Sequence, residues 1–185
     1  MSPIEKYLEH LDKIFVDEPE FYDNESLIDG VKKVVSIVYK NIPEDGYITA
    51  VTYGLSHIDF PEWKFGRPEL CISVKSESLD WGIISGFLAN RLRGKTSFCY
   101  GEIINFGEKI SSDSEMDAFL IFTPSILSKE DYLNIETGTE YKINIAGLIP
   151  IYSDEIEVYN KIGLKEFLFH PNFDLYDLKR KKITL

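Results

Sequence analysis

The residues whose types and spacing come nearest to chemistry lie in the middle of the chain. Glu69 followed by Ser73, Val74 and Lys75 resembles the strand of a metal-dependent nuclease, where an acid and a lysine flank one residue on a sheet edge. That chemistry needs a central carboxylate to gather Mg²⁺, and Ser73 stands in its place. Gly54-Leu55-Ser56-His57-Ile58 has the outline of a nucleophile elbow, with Ile58 where a second glycine must relieve the tight turn. Gly94-Lys95-Thr96 matches the end of a phosphate loop, but Ala89 occupies the position of its first glycine and a helix, not a strand, leads into it. Asp113, Glu115 and Asp117 alternate like the opening of a calcium loop, without the glycine and distal glutamate that complete one, and read as a solvated acidic edge. His10, His57 and His170 are scattered, with no second ligand at metal spacing. Cys71 and Cys99 form neither a disulfide framework nor a zinc pattern; both sit among apolar residues and are expected as reduced core thiols. No catalytic, cofactor-binding or metal-binding residue is therefore expected, and no enzyme.

One stretch carries a different signal. Leu55 to Arg67, LSHIDFPEWKFGR, places Phe60, Trp63 and Phe65 in a loop punctuated by Pro61 and Gly66. Aromatics in such a loop either fold back over the core or stand out as interface anchors, the residue class that dominates binding energy. Asp59, Phe60, Trp63 and Phe65 are the candidate partner-binding residues.

The elements that must position this loop follow from pattern. Ser2-Pro3-Ile4-Glu5 is a helix start with a capping box, and Ile4, Leu8, Leu11 and Phe15 continue at helical spacing as one apolar stripe. Residues 17 to 29 are an acidic connection. Val31 to Tyr39 is β-branched and apolar enough for a strand buried on both faces, and Tyr47 to Tyr53 follows after a short turn as its hairpin partner. Glu69 to Lys75 alternates, Leu70, Ile72 and Val74 facing the core and Cys71 and Ser73 the other side. A helix capped by Ser78 carries Ile83, Ile84, Phe87 and Leu88, with Gly82 and Gly86 allowing another backbone to come close. Strands are expected at 102 to 106, 118 to 122 and 141 to 149, a short helix at 128 to 135, and a helix from Ser153 that stops at Gly163. The tail with Lys179-Arg180-Lys181-Lys182 reads as a solvated terminus. No repeat or linker divides residues 1–185, so one domain is expected, α+β, with a mixed, mostly antiparallel sheet and packed helices.

Composition narrows the partners. The chain has 185 residues, with 20 Lys+Arg against 31 Asp+Glu and a formal net charge of −11. A net-negative surface repels a polyanion, so no nucleic-acid partner is expected, whereas a basic protein fits. The first residues lack the basic lead and apolar run of a signal peptide, and no apolar stretch approaches the roughly 18 to 20 residues of a membrane span. A cytoplasmic protein with no membrane partner is expected.

The residues collected here resemble a known family. Thr52-Tyr53-Gly54-Leu55-Ser56, Arg67 to Val74, Trp81 with its helix, and Gly147-Leu148-Ile149-Pro150-Ile151 leading to Asp154-Glu155 look like a suppressor-of-fused domain of the bacterial type, from about Val31 to Gly163. The resemblance implies the α+β fold of that family and a function in binding rather than catalysis. The animal member holds a transcription factor and represses Hedgehog signalling, gripping a peptide between two domains. Many bacterial members look like immunity proteins that neutralise polymorphic toxins, often nucleases. The resemblance assigns Tyr53, Gly54, Ser56, Glu69 and Leu70 structural roles, with no catalytic residue. The expected function is an immunity protein that sequesters a cognate, basic toxin domain stoichiometrically; the alternative is a regulatory or scaffold domain binding an endogenous protein segment.

Overall fold

The computed structural model describes residues 1–185. In chain order the elements are α1 (Pro3–Asp12), β1 (Glu20–Asn24), β2 (Val34–Lys40), β3 (Ile48–Tyr53), β4 (Arg67–Val74), α2 (Asp80–Leu92), β5 (Ile103–Asn105), β6 (Ala118–Phe122), α3 (Lys129–Tyr132), β7 (Ile143–Ile151) and α4 (Ile156–Leu168). The strands make one seven-stranded sheet in the order β1-β2-β3-β4-β7-β6-β5. All neighbours are antiparallel except β4 and β7, whose parallel pairing is reached through the long crossover containing α2, β5 and β6. The mixed, mostly antiparallel α+β architecture read from the sequence is the one observed.

Strand alternation decides which helix covers which face. Val38, Ala50, Leu70, Ile72, Phe119, Ile121 and Leu148 point to one face, where α2 inserts Trp81, Ile84 and Leu88. Gly86 lets this helix sit directly on β2: a Cβ there would lie 2.1 Å from Ser36 Oγ, which instead accepts the Gly86 N–H at 3.1 Å. The opposite face is covered in two patches. α1 and the turn after it pack Tyr7, Leu11 and Phe15 over Ile37, Tyr39, Val51, Tyr53, Ile143 and Ile145, while α4 packs Val158 and Phe167 over Ala118, Leu120, Ile149 and Ile151.

The capping box of Ser2 and Glu5 is present, as is that of Ser128 and Asp131, although the helix it starts is a single turn, Lys129–Tyr132. Several expectations are corrected. The acidic connection contains an edge strand, β1, whose Glu20 is ion-paired with Lys40 on β2 and whose Asp23 is ion-paired with Lys33 just before β2; charges on an edge disguise a strand while guarding it against stray pairing. The second face of β4 is also buried: Cys71 packs in the cluster with α1, Glu69 lies under the loop after β3, and Ser73 accepts a hydrogen bond from Thr49 on β3. Ser78 does not cap α2; its hydroxyl donates to Asp80, and the first turn forms on its carbonyl. At Gly163 (φ 82°) the last helix kinks and then continues to Leu168. Cys71 is buried as expected, but Cys99 is exposed. Asp113 and Asp117 are not a solvated edge: Asp113 accepts from Trp81 Nε1 at 3.0 Å and from Ser76, and Asp117 accepts the Ser153 N–H and hydroxyl, both at 2.7 Å. The basic tail is not free either, since Arg180 is buried against Glu155.

Candidate protein-binding surface

The loop that carries the candidate residues is held at its base by one carboxylate. β3 ends at Tyr53, the chain reverses at Gly54, and a 3-10 turn spans Leu55–His57. Gly54 has φ 125°, and a Cβ at this position would lie 2.6 Å from the Lys33 carbonyl oxygen, so only glycine fits the turn. Glu69, fully buried on β4, accepts five hydrogen bonds from this segment: Thr52 Oγ1 at 2.7 Å, Gly54 N at 2.8 Å, Leu55 N at 3.3 Å, Ser56 N at 3.0 Å and Ser56 Oγ at 2.7 Å. Burial pushes the Glu69 carboxyl up from its ordinary range, and the donors of Ser56, Thr52 and Gly54 pull against that shift. On the other side of the same peptide, Arg93 at the end of α2 donates to the carbonyl oxygens of Gly54 (3.1 Å) and Lys32 (2.8 Å).

This geometry does not assemble a hydrolase. Ser56 is buried and gives its hydroxyl proton to Glu69, not to His57. His57 stacks edge-on against Tyr53, 4.9 Å between centroids, and burial together with Lys32, Arg93 and Arg67 lowers its pKa to about 4. The turn is a structural knot, and its product is a fixed departure point for residues 58 to 66.

The four candidate residues separate. Phe60 and Trp63 fold back: their rings pack 5.5 Å apart, and Trp63 donates its indole N–H to the Ser97 carbonyl at 2.5 Å while resting against the core. Asp59 and Phe65 face outward. Asp59 lies 3.6 Å from the Arg67 guanidinium with its side chain 78% exposed, and Phe65 is 89% exposed. Phe65 is nonetheless fixed through its backbone, whose carbonyl accepts from Asn144 Nδ2 at 3.1 Å. Arg67, 4.1 Å above the Tyr141 ring and bonded to the Ser56 carbonyl, closes the loop.

Beside Phe65 runs a groove of about 300 Å³, walled by Trp63 and Phe65 on one side and by Phe98, Cys99 and Tyr100 on the other, with Asn144 at its floor. The second wall escaped the sequence reading. Segment 97–100 has no periodicity, and its shape comes from Glu102, whose carboxylate accepts Ser97 Oγ at 2.8 Å and Cys99 N at 3.1 Å. The available signal was the unpatterned run Cys99-Tyr100-Gly101 between a helix and a strand. No helix in the structure is long and apolar enough to cross a membrane.

Comparison with known proteins agrees with this architecture. The model of the family described as "Suppressor of fused protein (SUFU)" matches residues 30–181. Among curated proteins no sequence match is found. Of solved structures, a suppressor of fused homologue from Neisseria gonorrhoeae FA 1090 is similar with a TM-score of 0.70 at 17% identity, covering 96% of this chain and 94% of that one. A chain of a Sufu–Fu complex follows at 0.64 and 12% identity, covering 97% and 91%. The Drosophila Suppressor of Fused is similar at 0.63 and 13% identity over 95% of this chain, which spans 48% of the fly protein.

Proposed function

This chain belongs to the suppressor of fused family, and on that premise we propose that it works by binding a protein rather than by turnover, as an immunity protein that neutralises a basic toxin domain in the cytosol at one-to-one stoichiometry. The observation that carries the proposal is the exposed Phe65 ring, held by a backbone contact beside an aromatic groove on a surface whose net charge is −11. An ordered aromatic in solvent loses little conformational freedom on docking, which is what makes such residues strong anchors. The acidic surface steers a basic partner and resembles the nucleic-acid substrate that the partner would otherwise hold. A protein partner also accords with the Sufu–Fu complex formed by one relative of this fold.

Co-expression with the product of the adjacent gene tests the reading. A neighbour that kills alone, rescue by this chain, and a one-to-one complex whose association slows with rising salt are expected, with Phe65→Ala weakening the complex at least tenfold. A harmless neighbour together with capture of an endogenous protein would replace immunity by the regulatory role.

A further inference from the structure

α1 and α2 cover opposite faces of the sheet by different means. α2 is tied down by polar contacts, including Gly86 N to Ser36 Oγ, Asn90 Nδ2 to the Glu25 carbonyl, and Arg93 to Lys32 and Gly54. Residues 1–16 have a single polar link to the rest of the chain, between His10 Nε2 and the Asp131 carbonyl at 2.7 Å. All else holding α1 is apolar: Tyr7 lies on Tyr53 with centroids 5.3 Å apart, Phe15 on Tyr39 at 4.5 Å, and Leu11 between them in the same cluster.

Beneath the helix the packing is incomplete in a specific way. The hydroxyls of Tyr7 and Tyr39 are both buried without any hydrogen-bond partner, although both residues are 0% exposed. An unpaired buried hydroxyl disfavours the closed state, because water satisfies it as soon as the site opens. A cleft of about 490 Å³, lined by Lys6, His10, Leu133 and Asn134 among others, runs along the seam between α1 and the segment after α3. With 10 residues, α1 is also shorter than a helix that persists alone in water.

We propose that α1 is a detachable cover, which opens as a unit ahead of the rest of the fold and bares Tyr39, Tyr53 and Cys71 on the sheet beneath. Few polar ties, unsatisfied hydroxyls and a cleft along the seam are the properties of the lowest-stability unit of a domain. Cys71 reports the opening. The residue is only 3% exposed in the closed state and burial pushes its thiol pKa up to about 12, so alkylation requires opening. Its other neighbours are Thr123, Ser125 and Leu175 around a small void, which offers a second route that the test must separate.

The measurement is iodoacetamide labelling of Cys71 in the full chain carrying Cys99→Ser, across a series of urea concentrations below the unfolding transition. Labelling faster than global unfolding allows, with a shallow urea dependence, is expected. Leu11→Ala should accelerate it at least tenfold, Tyr7→Phe should slow it several-fold by removing an unpaired hydroxyl, and Phe167→Ala, on the buried side of α4, should leave it within twofold. Hydrogen exchange should show the amides of α1 opening with the same response to these variants. Labelling that needs global unfolding, with Leu11→Ala and Phe167→Ala accelerating it equally, overturns the proposal. So does fast labelling indifferent to Leu11→Ala and Tyr7→Phe, which assigns entry to the Leu175 side.

Discussion

Two carboxylates, Glu69 and Glu155, are both fully buried, and the molecule keeps them by opposite means. Glu155 faces a full charge: Arg180 engages it through two nitrogens at 2.5 and 2.7 Å, while Tyr152 N and Ile183 N donate at 3.1 and 2.8 Å. Glu69 has no direct ion pair and is satisfied by three backbone N–H groups and two hydroxyls. The first arrangement fastens a tail to the body, joining residues 25 apart in sequence. The second freezes a loop by claiming its backbone donors one by one, which fixes conformation more tightly than a point contact between two long side chains does. Buried charge is thus used once for attachment and once for preorganisation, and only the latter lies next to the candidate binding surface.

Breaking the ion pair should have the largest effect. Arg180→Ala leaves Glu155 buried and uncompensated and should destabilise the fold by about 3–5 kcal/mol, read as a fall in Tm; Arg180→Ala with Glu155→Leu should recover much of that loss, and no recovery would mean that the tail is held by packing alone. The pH response separates the two regions next. The pKa of His57, beside the Glu69 knot, falls from 6.5 to about 4 on folding, so its contribution is complete above pH 6.5 and is lost as pH falls through about 4. The loss amounts to about 3 kcal/mol at most. His57→Phe should flatten Tm between those pH values, and an unchanged profile would place the acid sensitivity elsewhere.

Glu69→Gln sharpens the comparison. An amide cannot accept all five donors, and a loss of about 2 kcal/mol is expected from the groups left unpaired, with faster hydrogen exchange confined to residues 54–66. Equal acceleration across the whole sheet would show that Glu69 serves global stability rather than the loop. At the small end, Phe65→Ala should change stability by less than about 0.5 kcal/mol, as exposed positions do, whereas Trp63→Ala should lower Tm measurably because that ring is half-buried on the core and bonded to Ser97.

Much of this molecule was legible in its residues. The capping box of Ser2 and Glu5, the strand at 118–122, the β2–β3 hairpin and the glycine contact of α2 follow from local pattern, because cap chemistry, alternation and side-chain size act over a few positions. The family resemblance was carried by the segments around Gly54, Glu69 and Gly147, and the match over residues 30–181 contains all of them. β1 was not legible: Glu20 and Asp23 are compensated by Lys40 at the end of β2 and Lys33 just before its start, and nothing within Glu20–Asn24 announces that pairing. Of the candidate loop, the sequence located the aromatics but not their directions. Trp63 turns inward because the Ser97 carbonyl meets its indole, and Phe65 outward because Asn144 holds its backbone.

The sequence by itself determined the class, the alternation that makes the sheet, the acidic character of the surface and the loop to watch. Only tertiary structure decided the rest: that Cys99 is exposed, that Asp113, Asp117 and Arg180 are structural rather than solvated, and that Glu69 organises a loop rather than a metal. The physical reason is one of range. Propensity and periodicity are properties of neighbours along the chain, whereas the state of a polar group depends on which distant donor or charge the fold brings within about 3 Å of it.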